Sequence, residues 1–575
     1  MKKHLERLKP YPLPPYRREK FIRLDLNENP LGPSPRVMET LKNIRAIDLN
    51  TYPFYPEIEK KIADYIGVDP QWVVVTNGAD DAIKCVFEAH VDHGDKVLMP
   101  HPTYSMYEVY TDLYNGIKEF VHYREIGRFP LEEFLEKVPH ADLVVVVNPA
   151  NPTGEKISRD SFVKILEKSS GKPVILDETY WQFGGESFAD LVESYENLFV
   201  VHSFSKLFAL AGLRLGYLVT QKRDLIEKVI EPFRVSSIAV KIGIAALDDS
   251  DFYMKILKVL KENQDFLVNE IQKRGFTAYR THTNFVLVNA GVRANFIRNK
   301  LFEKGILAKT YSTPGILNGF LRISIGLFED LQKLLKELDT ILPARLLIFD
   351  MDGVLVDVRD SYRTAIKLTA EFFTGEEVSY EEIQKFKDRG GLNNDWDLTL
   401  EIIRSRGVDI GREEVISKFQ ELFLGEDFNG LINRERWVLK KEILEKLFEN
   451  YRLAIFTSRP REEALYTLKK SGTLHYFDEI IALEDVRRSK PHPEGINKIL
   501  EKLKVKPENA VYVGDTVDDM IAARRAGVTG VAVAPPDTDI SIYSQLYTQY
   551  GASFTLSSVN EIPGFLSKHF DGGEK

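Results

Sequence analysis

A chain of 575 residues is too long for one hydrophobic core, and its length indicates about three or four structural units. With 43% apolar and 28% charged residues, the composition is typical of a folded protein and excludes a disordered or collagen-like chain. A net charge of −9 without a dense basic stripe argues against a dedicated nucleic-acid binder.

The expected compartment follows from what the sequence lacks. No apolar run approaches the ~18 residues of a membrane helix, and the opening MKKHLERLKP has no apolar stretch behind its basic residues. The single cysteine, Cys85, excludes an intramolecular disulfide framework, and its setting in DAIKCVFEAH predicts a small buried thiol. We therefore expect a cytoplasmic globular enzyme or a multi-domain binding protein, with neither membrane nor nucleic acid as a partner.

Apolar runs alternate with charged helical segments between about residues 70 and 220. This alternation predicts a parallel sheet covered by helices, an α/β fold. The runs WVVVTNGADDAI, DLVVVVNPANPTG, KPVILDETY and NLFVVHSFSK each end in polar or glycine-rich residues. Because ligands gather at the carboxyl ends of strands in such sheets, we expect these residues to share one site.

The next elements predict a smaller subdomain. Residues 223–275 are mostly helical in pattern, TNFVLVNA and FLRISIG have the composition of strands, and FEDLQKLLKELDTIL is a predicted helix that stops at Pro343. We assign residues 1–343 to a first domain, with a large part at about 45–270 and a small α/β part formed by 1–44 and 271–343.

A second α/β pattern begins almost at once, since only Ala344 and Arg345 follow Pro343 before the run LLIFD. The further short apolar strands are YRLAIFTS, AVYVGD and GVAVAP, which predicts a Rossmann-like sheet. The segment at about 359–440 is predominantly helical and is interpreted as an insertion. We assign residues 344–575 to this second domain.

The first half carries a series of motifs in a fixed order. The stretch SFSKLFALAGLRLGY places a lysine after a buried strand and an arginine eight residues later. With LNENPLGPSP, TYPFYP, NGADDAI, PTYSMY, NPANPTG, DETY and LRISIG, it resembles the fold-type I pyridoxal-phosphate aminotransferases, and most closely the histidinol-phosphate aminotransferases. The resemblance covers residues 26–326, nearly the whole half.

The resemblance implies roles around the ring of pyridoxal 5'-phosphate. Lys206 would bond to the cofactor as a Schiff base and move the proton during amino transfer. Asp177 would pair with the ring nitrogen and keep it protonated, although a helix-capping role in DETY is the structural alternative. Asn151 and Tyr180 would bind the phenolate oxygen, and Tyr104 would stack on the ring.

The resemblance also implies a phosphate site and a partner subunit. The phosphate would bind at a helix N-terminus, where free N–H groups point outward. The residues matched to it are Ala79, Asp80, Ser203 and Arg214. Tyr52 matches a tyrosine that this family lends across a dimer interface, so a homodimer is implied.

Two cationic residues bear on the choice of substrate. Arg322, in FLRISIG, matches the arginine that holds the carboxylate of glutamate or the phosphate of the amino-alcohol substrate, and a guanidinium suits both anions. Thirteen residues upstream the family commonly has a second arginine, but this chain has Lys309. Lysine keeps the charge and loses the two-pronged geometry, which weakens the match to imidazole-acetol phosphate.

The stretch LIFDMDGVLVD opens the second half with Asp350 and Asp352 after an apolar strand. Taken alone, the pair fits a turn with a capping aspartate equally well. Further motifs follow in IFTSRP, RSKPHPE and VGDTVDDM, namely Thr457 with Ser458, Lys490, and Asp515 with Asp519. Together these motifs resemble those of the haloacid-dehalogenase-like phosphatases over residues 346–568.

This second resemblance implies hydrolysis of a phosphate ester through an aspartyl-phosphate. Asp350 would attack phosphorus, and Asp352 would protonate the leaving alcohol and then activate water. A Mg²⁺ ion held by Asp350, the Asp352 carbonyl and Asp515 would balance the negative charge. Asp519 would support the metal or Lys490 from behind.

The remaining residues of the second site would contact substrate. Thr457, Ser458 and Lys490 would bind phosphoryl oxygens, and Lys490 would also offset the charge of the nucleophile. The helical insertion resembles a mobile cap that excludes water. Within it, KDRGGLNNDWDLT offers Arg389, Asn393, Asn394 and Trp396, which we expect to bind the leaving group; the alternative is a capped turn between two helices.

The fusion itself suggests consecutive reactions. An aminotransferase that makes histidinol phosphate, with glutamate as donor and 2-oxoglutarate as product, would be joined to a phosphatase that yields histidinol, as in histidine biosynthesis. Three alternatives remain open. The substrate could be another amino-alcohol phosphate such as serinol phosphate, the first site could decarboxylate threonine phosphate, or the second half could be only regulatory.

Overall fold

The structure is a computed structural model that describes residues 5–6, 8, 14–311, 315–387, 394–536 and 538–570. The chain divides into two compact units, Met1–Ile341 and Leu342–Lys575, which are described separately as the N-terminal and C-terminal units. No helix within these described ranges combines the length and apolar character needed to cross a bilayer. Cys85 is a buried free thiol.

The N-terminal unit contains two sheets and the helices around them. Its strands are β1 (Ile22–Leu24), β2 (Val73–Thr76), β3 (Lys96–His101), β4 (Ile117–His122), β5 (Leu143–Val147), β6 (Val174–Asp177), β7 (Leu198–Ser203), β8 (Gly216–Val219), β9 (Thr277–Arg280), β10 (Phe285–Asn289), β11 (Ile306–Thr310) and β12 (Phe320–Ser324). Its helices are α1 (Pro35–Lys42), α2 (Ala46–Asn50), α3 (Pro56–Ile66), α4 (Ala79–His90), α5 (Met106–Leu113), α6 (Leu131–Lys137), α7 (Arg159–Ser169), α8 (Trp181–Gly184), α9 (Arg223–Val229), α10 (Ser237–Leu247), α11 (Ser250–Lys273), α12 (Ala294–Glu303) and α13 (Phe328–Ile341).

The larger sheet has the strand order β2-β8-β7-β6-β5-β3-β4. Its pairs are parallel except those of β8, which runs antiparallel to both β2 and β7. The α/β fold expected from sequence is confirmed, and the sheet departs from the expected parallel arrangement at this strand. A parallel connection needs about a dozen residues and usually a helix, whereas residues 204–215 hold only a one-turn 3-10 helix at Ala211–Leu213.

Four strands of this sheet are buried along their whole length, namely β2 at one edge and β5, β6 and β7 in the middle. Strands β2, β5, β6 and β7 consist almost entirely of buried valine, leucine, isoleucine and phenylalanine. Such continuous apolar runs are typical of strands covered on both faces. The parallel strands β5, β6 and β7 end at one edge, where their polar terminal residues meet.

The smaller sheet has the order β1-β11-β12-β10-β9. Strand β1 pairs in parallel with β11, and the other pairs are antiparallel. In the β11–β12 pair, Lys309 lies directly opposite Arg322. The two cations considered in the sequence analysis are thus neighbours on adjacent strands.

The C-terminal unit is built around one parallel sheet. Its strands are β13 (Leu346–Phe349), β14 (Val356–Asp357), β15 (Arg436–Trp437), β16 (Arg452–Phe456), β17 (Glu479–Ile481), β18 (Ala510–Gly514), β19 (Thr529–Val533) and β20 (Ala552–Leu556). Its helices are α14 (Tyr362–Thr374), α15 (Tyr380–Lys387), α16 (Asp395–Ser405), α17 (Arg412–Phe423), α18 (Lys441–Asn450), α19 (Arg461–Lys470), α20 (Glu494–Leu503), α21 (Val517–Ala526), α22 (Ile540–Tyr550) and α23 (Ile562–Phe565).

The main sheet of this unit has the order β17-β16-β13-β18-β19-β20, with all pairs parallel. Strand β13 is central and buried, and Asp350 follows it directly. The short β14–β15 pair flanks a helical insertion made of α14 to α17. This insertion is the helical segment expected at about 359–440, and its aromatic residues pack with one another around Tyr362.

Candidate active sites

The first candidate site is a cavity of about 220 Å³ in the N-terminal unit, at the edge where the central strands end. It brings together most of the residues that the sequence assigned to cofactor binding. Those that line it are Ala79, Asp80, Tyr104, Asn151, Asp177, Tyr180, Ser203, Lys206 and Arg214. The convergence of these side chains follows from the strand ends and the first turn of α4.

Lys206 follows β7 and reaches into the cavity. Its Nζ donates a hydrogen bond to the carbonyl oxygen of Leu26 at 3.2 Å and lies 5.6 Å from the centre of the Tyr180 ring. Within the described part of the chain, no carboxylate pairs with this amine. An amine held only by a carbonyl and an aromatic face is available to bond with an aldehyde carbon.

Asp177 is a buried acid at the end of β6. Its Oδ1 accepts from the backbone N–H of Thr179 at 3.0 Å, and its Oδ2 accepts from the hydroxyl of Tyr107 at 3.0 Å. Burial raises the pKa of this carboxyl group, and no cation forms an ion pair with it among the residues described. A protonated pyridine nitrogen would supply the missing positive charge, so Asp177 fits the ring of pyridoxal 5'-phosphate.

The start of α4 forms an anion cradle on one side of the cavity. The helix begins at Ala79 after Gly78, whose φ of +81° is open mainly to glycine. Arg214 donates to Asp80 at 2.7 Å, and the hydroxyl of Tyr104 donates to the same carboxylate at 2.9 Å. Free N–H groups, a guanidinium and nearby serines are the donors that a phosphate requires.

Asn151 links the cavity to the smaller sheet. Its Oδ1 accepts from Nη1 of Arg322 at 2.7 Å, and Nη2 of the same arginine donates to the carbonyl of Asp25 at 2.6 Å. Nε of Arg322 is buried and has no hydrogen-bond partner among the described residues. An anionic substrate group would satisfy it, with Lys309 on the neighbouring strand as the second cation.

Three residues of this site were not singled out from sequence. Tyr107 holds Asp177, Asn27 donates to the hydroxyl of Tyr180 at 2.8 Å, and Ser205 lines the cavity beside Ser203. All three lie inside motifs that had been recognised, but the motif letters do not tell which side chains reach the site. Asn27, for example, has a φ of +58°, a left-handed backbone conformation that the motif letters do not reveal.

Tyr52 is not part of the cavity in a single chain. Its side chain is 73% exposed and stacks on the exposed ring of Phe233 at 4.1 Å between centroids. The large apolar residues Leu49 and Phe54 nearby are also exposed. The predicted cofactor contact of Tyr52 therefore requires a second chain.

The second candidate site lies at the carboxyl end of β13 in the C-terminal unit. Lys490 is buried, and its Nζ lies 2.6 Å from Oδ1 of Asp350 and 2.9 Å from Oδ1 of Asp519. Carboxylate oxygens of Asp350, Asp515 and Asp519 lie within 4.8 Å of one another. Three motifs that are distant in sequence thus meet at one point.

Among the residues that the structure describes, carboxylates outnumber the paired cations in this cluster. Burial raises the pKa of Asp350 to about 7 and, together with repulsion from Asp350 and Asp519, raises that of Asp515 well above its ordinary value. Lys490 forms ion pairs with two of the three carboxylates, Asp350 and Asp519, and none of the described residues forms an ion pair with Asp515. A Mg²⁺ ion, which prefers oxygen ligands, fits this donor set.

The carboxylates have different roles in that set. Asp519 is already engaged by Lys490, by Tyr512 and by the N–H and hydroxyl groups of Thr516, which leaves fewer of its lone pairs open to a further ligand. Asp515 approaches Gly353 closely: a Cβ on this glycine, whose φ is +75°, would lie 1.9 Å from Oδ2 of Asp515. Only glycine fits after the DxD pair.

Asp352 is held by an arginine that the sequence analysis did not single out. Nε of Arg459 donates to Oδ1 of Asp352 at 2.6 Å, and the backbone N–H of Arg459 donates to the hydroxyl of Thr457 at 3.2 Å. Ser458 lines a small cavity together with Asp352. Ser458 is therefore placed beside the predicted acid, and Thr457 contacts the backbone of the arginine that holds it.

The cap loop is described only from Asn394 onward. Asn394 and Trp396 line the same small cavity as Asp352, and their contact with a leaving alcohol stays a prediction. However, Oδ1 of Asn394 accepts from the N–H groups of Trp396 and Asp397 and caps α16, which is the alternative of a capped turn. Arg389 and Asn393 lie outside the described residues, and their role stays a prediction.

Comparison with known proteins assigns each half to a family. Residues 19–338 match the family of class I and II aminotransferases, and the chain belongs to this family. Residues 347–533 match the haloacid dehalogenase-like hydrolases, so an aminotransferase domain is fused to a hydrolase domain.

Individual relatives of the first half include histidinol-phosphate aminotransferases. The chain is 33% identical over 323 residues to the histidinol-phosphate aminotransferase of Thermoanaerobacter pseudethanolicus, which covers 55% of this chain and 90% of that protein. It is likewise 33% identical over 332 residues to the enzyme of the same name from Clostridium beijerinckii, covering 56% and 91%.

A solved structure matches the fold of the first half. The histidinol-phosphate aminotransferase of Sinorhizobium meliloti, in complex with pyridoxal-5'-phosphate, aligns with a TM-score of 0.55 and 24% identity. The alignment covers 58% of this chain and 95% of that one. The N-terminal unit therefore has the fold of these aminotransferases.

Proposed function

We propose that the chain is a bifunctional enzyme that transaminates a phosphorylated keto alcohol and then hydrolyses the phosphate ester of the product. The best candidate for the shared metabolite is histidinol phosphate, with glutamate as the amino donor. The observation that supports the proposal is the presence of two candidate sites in one chain, one built on Lys206 and Asp177 and the other on Asp350 and Lys490. The names of the relatives support the choice of metabolite.

At the first site the residues would bind, orient and move a proton. When bound, pyridoxal 5'-phosphate supplies an electron sink for the negative charge that develops on the substrate carbon. Asp177 would hold the proton on the ring nitrogen. Nζ of Lys206 would take the proton from the substrate carbon that bears the amino group and would then donate it to C4′ of the cofactor. Arg322 and Lys309 would bind the anionic end of each substrate in turn.

At the second site two aspartates would react with the phosphate ester, one as nucleophile and the other as acid. Asp350 would attack phosphorus while Lys490 and Thr457 bind the phosphoryl oxygens, and Asp352 would protonate the leaving alcohol. Bound Mg²⁺ would supply positive charge that offsets repulsion between the carboxylates and the phosphate. Asp515 and Asp350 are the carboxylates available to hold it, with Asp519 behind them.

The first site would be completed in a homodimer. Tyr52, Leu49, Phe54 and Phe233 form an exposed apolar face on the N-terminal unit. Apolar groups clustered on a surface favour burial against a partner. In such a dimer Tyr52 would contact the cofactor of the neighbouring chain.

Lys309 is compatible with one alternative substrate. An ammonium at the position where relatives of this type commonly have a second guanidinium binds an anion without fixing its orientation. A smaller amino-alcohol phosphate, such as serinol phosphate, would suit this site as well as histidinol phosphate.

Phosphate release from a panel of esters tests the proposal. The intact chain with Mg²⁺ is assayed on histidinol phosphate, serinol phosphate, phosphoserine and phosphoglycolate, and the formation of 2-oxoglutarate from glutamate is followed separately. We expect kcat/KM for histidinol phosphate to exceed the others about 100-fold, which is about 2.7 kcal/mol in the transition state.

Two variants act as matched controls for this test. Asp350→Asn should abolish phosphate release and leave transamination intact, and Lys206→Ala should do the reverse. Preference for serinol phosphate would move both sites to a different metabolite, and carbon dioxide release without consumption of a keto acid would indicate a decarboxylase. Equal rates on all esters would contradict a shared pathway.

A further inference from the structure

Arg459 is a fully buried cation between two carboxylates of the C-terminal unit. Its side chain is 1% exposed. Nε donates to Asp352 at 2.6 Å, while Nη2 and Nη1 lie 2.8 Å and 3.1 Å from the two oxygens of Glu435. The guanidinium therefore bridges the predicted acid of the reaction and a second acid that takes no part in it.

The side of Arg459 that faces away from Asp352 is fixed by several groups. Nη1 also donates to the hydroxyl of Thr467 at 3.3 Å, and that hydroxyl in turn donates to Glu435 at 2.7 Å. The ring of Tyr362 packs against the guanidinium, 4.7 Å from Cζ to the ring centre. A planar group that is held on its edge and on its face has little freedom to rotate.

Asp352 differs from its partners in burial. Its side chain is 24% exposed, whereas those of Arg459 and Glu435 are 1% and 2% exposed. It also lines the small cavity beside Ser458 and Trp396, where a leaving group would lie. A short carboxylate at a cavity wall could adopt several orientations, and the fixed guanidinium selects one of them.

We propose that Arg459, anchored by Glu435, is the positioning residue that aims the carboxyl group of Asp352 at the oxygen of the leaving alcohol. This inference rests on the proposed phosphatase function. A fixed hydrogen-bond donor behind a catalytic group keeps it within reach of the reacting atom, and small displacements of such groups reduce rates strongly.

Arg459 would act through two proton transfers of Asp352, one in each step of the hydrolysis. In the first step an oxygen of Asp350 bonds to phosphorus, the bond from phosphorus to the ester oxygen breaks, and that oxygen keeps the electron pair and takes a proton from Asp352. In the second step the oxygen of a water molecule bonds to phosphorus, its proton passes to Asp352, and Asp350 leaves as a carboxylate with release of inorganic phosphate.

A comparison of two leaving groups distinguishes a positioning role of Arg459 from a purely structural one. An alkoxide is a poor leaving group and needs the proton, whereas p-nitrophenolate departs without it. The quantity kcat/KM reports the first step, in which the leaving group departs. Loss of correct aim should therefore reduce kcat/KM for an alkyl phosphate and have little effect on p-nitrophenyl phosphate.

The experiment compares both esters in the full-length chain with Mg²⁺. Arg459→Lys keeps the charge and loses the fork, and Glu435→Gln keeps the shape and weakens the anchor. We expect Arg459→Lys to lower kcat/KM for histidinol phosphate about 100-fold, in the range of general acid catalysis, and that for p-nitrophenyl phosphate less than about 3-fold. Glu435→Gln should show the same pattern to a smaller extent.

Two further variants complete the design. Arg461→Ala removes an arginine two positions along, which pairs with Asp485 and does not contact Asp352, and it should leave both esters unaffected. Adding Arg459→Lys to Asp352→Asn should cause no further loss on the alkyl ester, because both changes remove the same proton transfer.

The outcomes separate this inference from the function on which it rests. An equal fall on both esters, or additive losses in the double variant, would overturn the positioning role. A wild-type chain that hydrolyses neither ester would overturn the phosphatase function and the inference with it. If Arg459→Lys fails to fold, Glu435→Gln decides, since it retains the guanidinium; equal effects on both esters there overturn the role.

Discussion

Glu463, on α19, is a carboxyl group buried near the second site. Its Oε1 accepts from the amide of Gln420 at 2.8 Å, its other oxygen contacts the hydroxyl of Tyr362, and burial raises its pKa to about 7 from 4.5. Between these two pH values the folded protein therefore keeps a proton on Glu463 that the unfolded chain releases. The free energy of unfolding should fall as pH rises from about 4.5 to about 7. Above that range, ionisation of Glu463 should have lowered it by about 3 kcal/mol in total.

Replacing this acid tests the sign of that dependence. Glu463→Gln keeps the shape and cannot ionise, so it should stabilise the protein relative to wild type at about pH 8 and much less at about pH 5. The difference in unfolding temperature, measured by calorimetry at both pH values, checks this. The exposed neighbour offers a control, Glu462→Gln, which should change little at either pH. A difference between Glu463→Gln and wild type that does not grow with pH would contradict the prediction.

At the residue scale, sequence could identify groups whose role is tied to a motif and not those defined by distant partners. Asp177 and Asp350 stand at the ends of apolar runs, where strand ends predict a site. Arg459 lies next to the predicted Ser458, but its partners Asp352 and Glu435 are 107 and 24 residues away in the chain. No local pattern reports such a contact.

At the scale of elements, β8 and the start of α4 touch backbone to backbone. A Cβ on Gly216 would lie 2.6 Å from the carbonyl carbon of Gly78 and 2.8 Å from the nitrogen of Ala79. These atoms form the proposed phosphate cradle, so the antiparallel strand helps to set its shape. Side-chain atoms could move aside, but here the neighbour is main chain.

Gly216→Ala should therefore weaken cofactor binding. Pushing the first turn of α4 away disturbs the N–H groups that would hold the phosphate, and we expect at least about a 10-fold rise in the Kd for pyridoxal 5'-phosphate. Equilibrium dialysis measures it, and phosphate release by the other unit shows whether the chain is intact. Gly212→Ala, at a glycine with open space around it, should bind normally. Equal Kd values for both variants would exclude the contact as a determinant.

Sequence predicted the elements better than their directions. The apolar runs that became β5, β6, β7, β13, β16 and β18 were recognised because whole-strand burial leaves a continuous apolar record. The antiparallel direction of β8 was not predicted, because the apolar composition of GYLV does not depend on the direction of the strand. The direction follows from the connection at residues 204–215, which contains no crossover helix. The cap helices carry the usual spacing of apolar residues, but the spacing does not tell that Asn394 would cap α16.

At the scale of the whole molecule, the exposed Tyr52 predicts that two chains share each aminotransferase site. Co-expression of Tyr52→Ala chains with Lys206→Ala chains should give hybrid dimers with one intact site. With random pairing we expect about a quarter of the wild-type transaminase activity, although each variant alone is nearly inactive.

The second unit supplies the control for that experiment. Both chains carry an unchanged Asp350, so phosphate release measures the amount of folded protein in each mixture. Transaminase activity that stays at the average of the two separate variants would mean that Tyr52 acts within its own chain or not at all.

The central position of β13 has a consequence for how the protein is made. This strand is the first of its sheet to leave the ribosome, yet its partners β16 and β18 begin only at Arg452 and Ala510. At about 5–20 residues per second, an apolar strand that directly precedes the proposed nucleophile waits about 5–20 s for its first neighbour. Synthesis of the second half therefore includes an interval in which this strand has to be kept from pairing elsewhere.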